Sequence, residues 1–408
     1  MTAASIYDTS VPALLLTIGP HEWDYGALAT VRSLGRVGVP VYAAVSDLAM
    51  PAVRSRYLTE ALDWPTTGSE PPAALIEHVR EMCRHIGSPV VAIAGDDETA
   101  VLLARYRADL VPLILGPPVS PDLPGRLASK GGLAQLCRES DTPTPQSVAP
   151  DSWEELSDFV ESATFPLVIK NPDPFSRLTT PAVSRTTQVS DPAALRGALA
   201  AWRPGEPLLV QEFIPDDVSE DWYVEAVFDA DSRPVVTFSG RKLRAFPEAT
   251  GVGTLSESVV NTRLIEQAQA FAARIGYVGV CDMDWRLDRR DRTYKLLDFN
   301  PRRGAQFRLF QSTARVDVVR ALHLMLTGRQ VPKGRQIEGV RHVVGLQDQR
   351  AFLAQRRQGR TAYPIVQRFG SERSWWSWDD PEPAWAFVSG MGLWRRAARR
   401  WHPHQAAP

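Results

Sequence analysis

The sequence predicts a protein of mixed α/β and α+β class, in which an N-terminal parallel α/β layer precedes a larger α+β region. Over residues 11–120, apolar segments of strand length alternate with helical patterns, which is typical of a parallel sheet covered by helices. Beyond residue 150, strands and helices recur without that strict alternation. The chain has 408 residues, too many for one hydrophobic core, so two or three subdomains are expected.

The N-terminal layer begins with a short apolar strand. Residues 13–18 (ALLLTI) precede Gly19-Pro20 and have the composition of a buried parallel strand. A helix follows whose apolar residues recur every three positions as far as Val37. Asp97 then lies in the first turn of a later helix, where an acid opposes the helix dipole. The other predicted elements of the layer are strand 39–45, helix 72–86 and strand 89–95.

A proline-rich stretch at 112–124 predicts a boundary after the layer. A helix is expected from about Ser129, and Asn261 is a candidate N-cap of a later helix. The predicted strands of this region are 165–170, 207–213, 222–229, 234–240, 277–287 and 294–302, and its predicted helices are 152–162, 191–202, 262–275 and 315–327.

The composition argues against several classes of protein. A formal net charge of −1 gives no field that would attract nucleic acid. No stretch approaches the ~20 apolar residues of a membrane-spanning helix, and the N-terminus lacks the basic start of a signal peptide. The three cysteines form no CxxC pair, which suits buried thiols in a reducing compartment. We therefore expect a cytoplasmic protein with small-molecule partners, no nucleic acid and no transmembrane segment. The expected assembly is a homodimer.

Two strands in the third quarter of the chain carry polar oxygen donors at alternate positions. They are GVCDMDWRLD and, after a short turn, LLDFNPRRG. Side chains two positions apart point to the same face of a strand, so Asp282 shares a face with Asp284. By the same spacing Asp298 shares a face with Asn300. Acids in apolar strands are costly to bury unless a cation or hydrogen bonds satisfy them.

Oxygen ligands of this kind select Mg²⁺ or Mn²⁺, which usually bridge protein carboxylates to phosphates. We therefore predict that Asp284, Asp298 and Asn300 are metal ligands. The alternative is a solvated hairpin whose acids face water. For the turn from Asp288 to Asp291, that alternative is our preferred interpretation.

Two lysines occupy positions that would suit a phosphate. Lys130 begins a helix after the proline-rich stretch, and Lys170 ends the strand FPLVIK. A lysine at a buried strand end needs an anionic partner, which a phosphate would supply. The alternative interpretation is that each lysine, taken alone, is a solvated residue on the surface.

The order of these features resembles the ATP-grasp superfamily. Residues 125–330 carry the two lysines, the strand LLVQEF and the two acid-bearing strands in the family's order, and DFNPR is similar to its acid-x-Asn-Pro-Arg signature. The resemblance is greatest to carboxylate–amine ligases of the D-aspartate-ligase-like and carbamoyl-phosphate-synthetase-like groups. It implies a pre-ATP-grasp domain at 1–120, an ATP-grasp domain at 121–330 and a tryptophan-rich extension at 331–408. Within the ATP-grasp domain, the implied small lobe spans about 140–212 and the large lobe about 213–330.

The resemblance also implies roles for individual residues, with ATP and Mg²⁺ or Mn²⁺ as cofactors. Lys130 and Lys170 would contact the α- and β-phosphates. Glu212 would lie at the hinge near the adenine amino group, and backbone groups of Phe213 and Ile214 would contact the adenine edge. Asp284, Asp298 and Asn300 would bind two magnesium ions, and Asp217 or Asp221 would bind the ribose hydroxyls. Arg302 would contact the γ-phosphate or the activated carboxylate.

The sequence departs from the family pattern after Lys170. Residues 171–188 contain no glycine, whereas the family often covers the phosphates there with a flap rich in glycine and serine. Hydroxyl side chains with Arg177 and Arg185 offer phosphate donors instead, and a plain surface loop is the alternative. This departure keeps a non-catalytic ATP-binding regulator among the hypotheses.

Three other segments carry weaker predictions. Arg241 and Lys242 lie on opposite faces of one strand, so at most one of them enters the cleft. We select Arg241 as a catalytic candidate that neutralises phosphate charge, with a solvated edge strand as the alternative. The loop from His21 to Tyr25 follows the first strand and is a candidate for lining a substrate pocket. For residues 391–401, a packed terminal helix is preferred over a helix on a membrane surface.

Together these features predict an ATP-dependent ligase that activates a carboxylate as an acyl phosphate and joins it to an amine. Both substrates would be small, amino-acid-like molecules, and a closing loop at 171–188 would exclude water. The competing hypotheses are a carboxylase that uses bicarbonate, a small-molecule kinase and the non-catalytic regulator.

Overall fold

The structure is a computed structural model that describes residues 6–19, 24–170, 187–246, 251–357, 359 and 371–390. The strands of these residues form three sheets, of five, seven and four strands. The two larger sheets pack against each other through a shared apolar core, and the candidate site lies on the seven-stranded sheet.

The N-terminal sheet is parallel, as the alternation of strands and helices predicted. Its elements are β1 (Ala13–Leu16), α1 (Tyr25–Gly35), β2 (Val41–Val45), β3 (Glu60–Asp63), α2 (Pro72–Ile86), β4 (Val90–Ala94), α3 (Asp97–Arg105), α4 (Arg107–Leu110) and β5 (Ile114–Leu115). The strand order is β3-β2-β1-β4-β5, and every neighbouring pair is parallel. All four residues of β1 are buried because helices cover both faces of the sheet.

The smallest sheet follows two connecting helices. These helices are α5 (Leu123–Ala128) and α6 (Lys130–Glu139). A helix start was predicted near Ser129, and the Ser129 side chain caps α6 by accepting from the Gly132 N–H. The sheet and its helices comprise β6 (Ser147–Val148), α7 (Trp153–Ser162), β7 (Leu167–Lys170), β8 (Thr187–Val189), α8 (Pro192–Ala198) and β9 (Leu209–Glu212). The strands are antiparallel in the order β6-β9-β7-β8, and α7 and α8 share an apolar core with one face. The opposite face carries Lys170.

The largest sheet provides the platform for the site. It comprises β10 (Ser219–Phe228), β11 (Pro234–Phe246), β12 (Val252–Ser258), β13 (Gly279–Asp288), β14 (Thr293–Asn300), β15 (Arg341–Val343) and β16 (Glu372–Arg373), with helices α9 (Thr262–Arg274), α10 (Val318–Leu326) and α11 (Gly345–Arg357). The strand order is β14-β13-β10-β11-β12-β15-β16. One face packs on α9, which Asn261 caps as predicted by accepting from the Leu264 N–H at 3.2 Å. On the other face, apolar residues pack against α10 at one end, and most of the predicted site residues lie toward the other end.

The residues predicted as a C-terminal extension contribute β15 and β16 to this largest sheet and return to the N-terminal layer. Asp380 accepts a hydrogen bond from Arg32 Nε at 2.9 Å and another from Ser55 Oγ at 2.7 Å. Arg32 and Asp380 are both buried. These hydrogen bonds therefore attach the C-terminal described segment to the N-terminal layer.

Two expectations from composition can be compared with the structure. No helix among the described residues is long and apolar enough to cross a membrane. Cys83, Cys137 and Cys281 are buried free thiols. Burial raises the pKa of Cys83 to about 11 and that of Cys137 to about 12, so both are unreactive at neutral pH.

Candidate active site

The register of the largest sheet brings the predicted metal ligands together. β13 and β14 are antiparallel, with Asp284 opposite Asp298 and Asp282 opposite Asn300. On the other side of β13, β10 places Tyr223 opposite Asp284. Directly opposite residues of an antiparallel pair project from the same face, with Cβ atoms about 5 Å apart. The three predicted oxygen ligands therefore share one face, which we call the acidic face and define by Asp282, Asp284, Asp298 and Asn300.

Two carboxylates of the acidic face reach toward solvent. The side chains of Asp284 and Asp298 are 29% and 34% exposed. Asn300 is only 9% exposed, and its Oδ1 accepts a hydrogen bond from Arg302 Nη2 at 3.2 Å. An incoming ligand can thus reach the two carboxylates directly, while the amide is held in place beside them.

Charges within the acidic face alter one another's titration. Burial raises the pKa of Asp284, and the neighbouring Asp298 raises it further. At Asp298 burial also acts to raise the pKa, but Lys130 outweighs it and holds the pKa below its ordinary value. Burial and the charge of Asp284 raise the pKa of Asp282. Around Asp282 and Asp284, nearby positive charge therefore does not offset the burial and mutual repulsion of the carboxylates. A bound cation would offset both.

Lys130 and Lys170 both lie near this face, although they come from different parts of the chain. Lys130, the first residue of α6, places its Nζ 2.5 Å from Asp298 Oδ1. Lys170, the last residue of β7, donates to Gln211 Oε1 at 2.8 Å. Burial, together with the charge of Lys130, lowers the pKa of Lys170 to about 8. The two ammonium groups are therefore close enough to act on one polyanion.

Lys242, and not Arg241, is the basic residue of β11 that faces the acids. Arg241 lies opposite Trp222, whose side chain belongs to the apolar core on the α9 side of the sheet. Lys242 Nζ lies 3.8 Å from Asp284 Oδ1 and 3.8 Å from Asp221 Oδ2. The assignment of Arg241 as a catalytic residue is wrong, because strand alternation directs its side chain away from the acidic face.

Arg302 joins the acidic face to the N-terminal layer. Its Nη1 donates to the Arg303 carbonyl at 2.9 Å, and its Nε lies 3.2 Å from Asp97 Oδ1 at the start of α3. Burial raises the pKa of Asp97 to about 6, although the charge of Arg302 acts in the opposite direction. Sequence reasoning gave Asp97 only a role against the helix dipole. Its guanidinium partner lies far along the chain, so no local pattern indicated the pair.

Arg303 makes a second link to the N-terminal layer. Its side chain is 1% exposed, and its Nη2 lies 3.4 Å from Asp24 Oδ2. Asp24 and Tyr25 are the described part of the predicted substrate loop, whose other residues, 21–23, lie outside the described residues. The described end of that loop therefore does lie beside the site.

Glu225 is a further member of the site that sequence reasoning missed. It lies opposite Asp282 and is fully buried. Its Oε2 accepts from the Gly304 N–H at 3.3 Å, and a Cβ on Gly304 would lie only 2.1 Å from its Oε1. Burial and the charge of Asp282 raise the pKa of Glu225 well above its ordinary value. In the sequence, Glu225 stands among the apolar residues of WYVEAVFD. This pattern could have marked it, but the same pattern occurs in an ordinary strand with one solvated face.

The comparison of sequences finds one curated relative. No family model matches the sequence. The D-aspartate ligase of Enterococcus faecium (strain Aus0004) is 25% identical over 224 residues, which cover 52% of this chain and 53% of that protein. The chain thus spans about half the length of the curated relative it matches.

Solved structures show the fold. The biotin carboxylase domain of Hydrogenobacter thermophilus 2-oxoglutarate carboxylase, a dimer with MgADP and bicarbonate, has a TM-score of 0.58 at 13% identity over 79% of this chain and 71% of that chain. The L-amino acid ligase of Bacillus licheniformis has a TM-score of 0.57 at 14% identity over 79% of this chain and 77% of that chain. This is an ATP-grasp fold. The fold that the resemblance implied is confirmed, and so is the predicted layout of a parallel α/β layer before a two-lobed region.

The segment after β9 leads from the four-stranded sheet to β10 of the seven-stranded sheet, and it is where the adenine contacts were expected. The Phe213 N–H donates to the Pro166 carbonyl at 2.9 Å, and the Ile214 carbonyl accepts from Arg286 Nη1 at 2.7 Å. The first bond extends the pairing of β9 with β7, and the second ties the segment to β13 of the large sheet. The carbonyl of Phe213 and the N–H of Ile214 stay the candidates for contacting an adenine edge.

An ion network also joins the lobes, and it corrects one prediction. Asp288 was expected to face water in a hairpin turn, but it is 1% exposed and accepts from Arg290 Nη2 at 2.6 Å and from Lys295 Nζ at 2.8 Å. Arg290 Nη2 also donates to Glu212 Oε1 at 2.6 Å. The prediction failed because the hairpin folds back against β9, a long-range contact. Glu212, the last residue of β9, is therefore bonded to the hairpin between β13 and β14 of the large sheet.

The two candidates for the ribose hydroxyls occupy different environments. Asp221 lies on the acidic side of β10 and accepts from Arg286 Nε at 2.6 Å and from Nη2 at 3.0 Å. Asp217 lies in the exposed turn between β9 and β10. Asp221 is thus the candidate inside the cleft, although Arg286 occupies both of its oxygens.

The donor set fits a divalent cation that shares its coordination with phosphate. Among the described residues, no group of three or more His, Cys, Asp and Glu side chains is arranged to hold a metal alone. Asp284, Asp298 and Asn300 instead supply two carboxylates and one amide oxygen. Mg²⁺ commonly takes only one or two protein carboxylates and completes its shell with water and substrate phosphates. Residues 171–186 and 391–401, on which two further predictions rest, lie outside the described residues.

The position of Lys242 yields a matched pair of variants. Because its charge lies on the acidic face, we expect Lys242→Met to lower the rate of ATP turnover about 10²-fold, the usual effect of losing one electrostatic contact in a site. Arg241→Met, the neighbouring substitution on the opposite face, should change the rate less than about 3-fold. Steady-state ADP release measures both rates. Equal losses of rate in the two variants would contradict a role for Lys242 that depends on its position on the acidic face.

The lowered pKa of Lys170 predicts a pH dependence. A lysine with a lowered pKa is charged below that value and neutral above it, so a contact with phosphate weakens as pH rises past about 8. We expect the Kd for ATP to be level below pH 8 and to rise by up to about 10-fold per pH unit above it. Calorimetric titration from pH 7 to 9.5 measures this. Lys170→Arg stays charged throughout the range, so an identical rise in that variant would contradict the assignment.

Proposed function

We propose that the protein is an ATP-dependent ligase that activates a carboxylate as an acyl phosphate and joins it to an amine. One observation carries the proposal: Asp284 and Asp298 lie opposite each other with Asn300 alongside, and cationic side chains surround them. Such a face can hold metal and phosphate together, which is what transfer of a terminal phosphoryl group requires. The cations are Lys130, Lys170, Lys242 and Arg302.

The proposed nucleotide site lies between the two lobes. Lys130 and Lys170 would contact the α- and β-phosphates as point charges. The hinge from Glu212 to Ile214 would hold the adenine, and Asp217 or Asp221 would bind the ribose hydroxyls. ATP and Mg²⁺ or Mn²⁺ are the proposed cofactors, as the MgADP in the H. thermophilus domain supports.

In the proposed reaction, an oxygen of the substrate carboxylate attacks the γ-phosphorus and ADP leaves. A cation held by Asp284, Asp298 and Asn300 would draw charge from the terminal phosphates. Arg302 presents a planar fork to the transferring group or the new acyl phosphate, and its direction is fixed by Asn300 and Asp97. The amine nitrogen then attacks the acyl carbon, loses a proton and displaces phosphate. The chain's own contribution is positioning and charge stabilisation.

The names of two similar proteins favour this reaction over others. The relative from E. faecium is a D-aspartate ligase, and the structure from B. licheniformis is an L-amino acid ligase. The bicarbonate in the H. thermophilus domain supports a carboxylase as the second candidate. A homodimer and a cytoplasmic location stay predictions, the first supported by the dimeric state of that domain.

A screen of ADP release with pooled amino acids and Mg²⁺, followed by mass analysis of the products, tests the proposal. We expect ADP release that depends on the pool and a product whose mass equals acid plus amine minus water. Release that depends on bicarbonate alone would establish a carboxylase, and a phosphorylated acid that persists with amine present would establish a kinase. ATP binding without turnover under all mixtures would establish a regulator.

A further inference from the structure

The side-chain amide of Asn300 is held from both of its ends. Its Nδ2 donates to Asp282 Oδ2 at 3.2 Å, and its Oδ1 accepts from Arg302 Nη2 at 3.2 Å. A guanidinium can only donate hydrogen bonds, so the reversed amide would set an NH₂ group against another donor. The two contacts therefore leave one orientation, with the amide nitrogen toward Asp282 and the amide oxygen toward Arg302.

The orientation of this amide matters for the predicted metal site, because Mg²⁺ binds the oxygen of an amide and not its NH₂ group. An asparagine that turned freely would present the wrong end to the cation part of the time. Asn300 and Asp282 are both buried, so water competes poorly for the hydrogen bond between them. Asp282 is therefore in a position to hold the amide in the orientation that a metal ligand requires.

Asp282 uses both of its oxygens on the segment that carries Asn300. Besides the Asn300 contact, its Oδ1 accepts from Gln306 Nε2 at 3.3 Å. Between these two contacts, the Gly304 N–H donates at 3.3 Å to Oε2 of Glu225, which lies opposite Asp282 on β10. The fit is close, because a Cβ on Gly304 would lie 2.8 Å from Asp282 Cγ. Three hydrogen bonds thus fasten the segment after β14 to two neighbouring buried acids.

We propose that Asp282 is a positioning residue that fixes the amide of Asn300 with its oxygen available to the metal ion. Asp284 and Asp298 would then bind the cation directly, whereas Asp282 would act on it only through Asn300. Residues that orient a metal ligand by hydrogen bonds commonly contribute about 10–100-fold to metal affinity or activity. The inference rests on the metal and nucleotide site of the proposed function and assigns a further residue to it.

The test is the Kd for the Mn²⁺ complex of a non-hydrolysable ATP analogue, measured from the electron paramagnetic resonance signal of Mn²⁺. Asp282→Ala should weaken binding of this complex about 10–100-fold and leave the Kd for the metal-free analogue unchanged. In a protein that already carries Asn300→Ala, the same substitution should cost less than about 3-fold, because the residue through which it acts is gone.

Two further variants complete the experiment. Asp282→Asn removes the charge but keeps a carbonyl oxygen that can accept from Asn300, so it should retain most of the affinity that Asp282→Ala loses. Asp231→Ala, at an exposed position of the turn between β10 and β11, is the control and should change neither Kd. Melting temperatures show whether each variant is folded. If Asp282→Ala is unfolded, Asp282→Val takes its place, because valine suits a strand and also lacks an acceptor.

The outcomes separate this inference from the proposed function. An equal loss from Asp282→Ala with and without Asn300→Ala, or no loss in either protein, overturns the positioning role and leaves the ligase standing. A loss from Asp282→Asn as large as that from Asp282→Ala does the same, because it assigns the effect to charge. An unchanged Kd in Asn300→Ala alone overturns the metal assignment and the inference with it. Absence of ADP release with every acid and amine overturns the ligase, while the Mn²⁺ measurements still decide the role of Asp282.

Discussion

Replacing Asp298 with asparagine should lower ADP release about 10³-fold or more. Asp298 is exposed to the cleft, lies opposite Asp284 and is the most accessible of the predicted metal ligands. Loss of its charge removes a ligand that would hold a cation against the terminal phosphates, a contribution of several kcal/mol to the barrier. Asn300→Ala, which removes the amide oxygen beside it, should have a comparable effect.

The control for these variants is Asp231→Asn. Asp231 is an exposed acid in the turn between β10 and β11, at the end of the sheet remote from the site. Its substitution should leave ADP release within about 2-fold of the wild-type rate. All three variants should melt within a few degrees of the wild-type protein, as measured by calorimetry. Unchanged turnover in Asp298→Asn, with the protein folded, would refute the metal assignment.

Replacing Arg302 with lysine should lower kcat/KM for the acid substrate about 10²-fold, with little change in the Kd for ATP. The guanidinium reaches Asn300, the Arg303 carbonyl and Asp97 in three directions at once. A lysine keeps the charge but cannot reproduce that planar arrangement, so the charge is no longer aimed at the transferring group. The effect should therefore fall on the chemical step and not on nucleotide binding.

Arg233→Lys serves as the matched control for the arginine variant. Arg233 is 75% exposed and pairs with Asp231 at the turn, so this substitution should leave kcat/KM unchanged. Parallel measurement of ADP release and of ATP binding separates the two parameters. If Arg302→Lys raised the Kd for ATP in proportion to its loss of kcat/KM, Arg302 would be a nucleotide-binding residue only.

Much of the fold follows from local patterns. The parallel arrangement of the N-terminal sheet was predicted from apolar runs that alternate with helical periods. The start of α6 was predicted near Ser129, and Asn261 was predicted as a cap from its side-chain chemistry. The helix predicted to residue 202 ends at Ala198, and β12 and α11 were not predicted. The strand β12 and the helix α11 were missed because packing in the large sheet determines them, and a local pattern carries no such information.

The candidate site shows the same division. The two-residue period placed Asp298 and Asn300 on one face before any register was known. The period also placed Arg241 and Lys242 on opposite faces, but only the pairing of β11 with β10 decides which one meets the acids. Asp97 could not be found, because its partner Arg302 lies far along the chain, in the segment that follows β14 of another sheet.

The most direct measurement of the central claim is the position of Mn²⁺ in a crystal grown with a non-hydrolysable ATP analogue. Mn²⁺ substitutes for Mg²⁺ and can be located by its anomalous scattering. The account predicts a peak about 2.1 Å from oxygens of Asp298 and Asn300, with a β- or γ-phosphate oxygen in the same coordination shell. A nucleotide bound away from the cleft, or a metal that coordinates none of Asp284, Asp298 and Asn300, would contradict it.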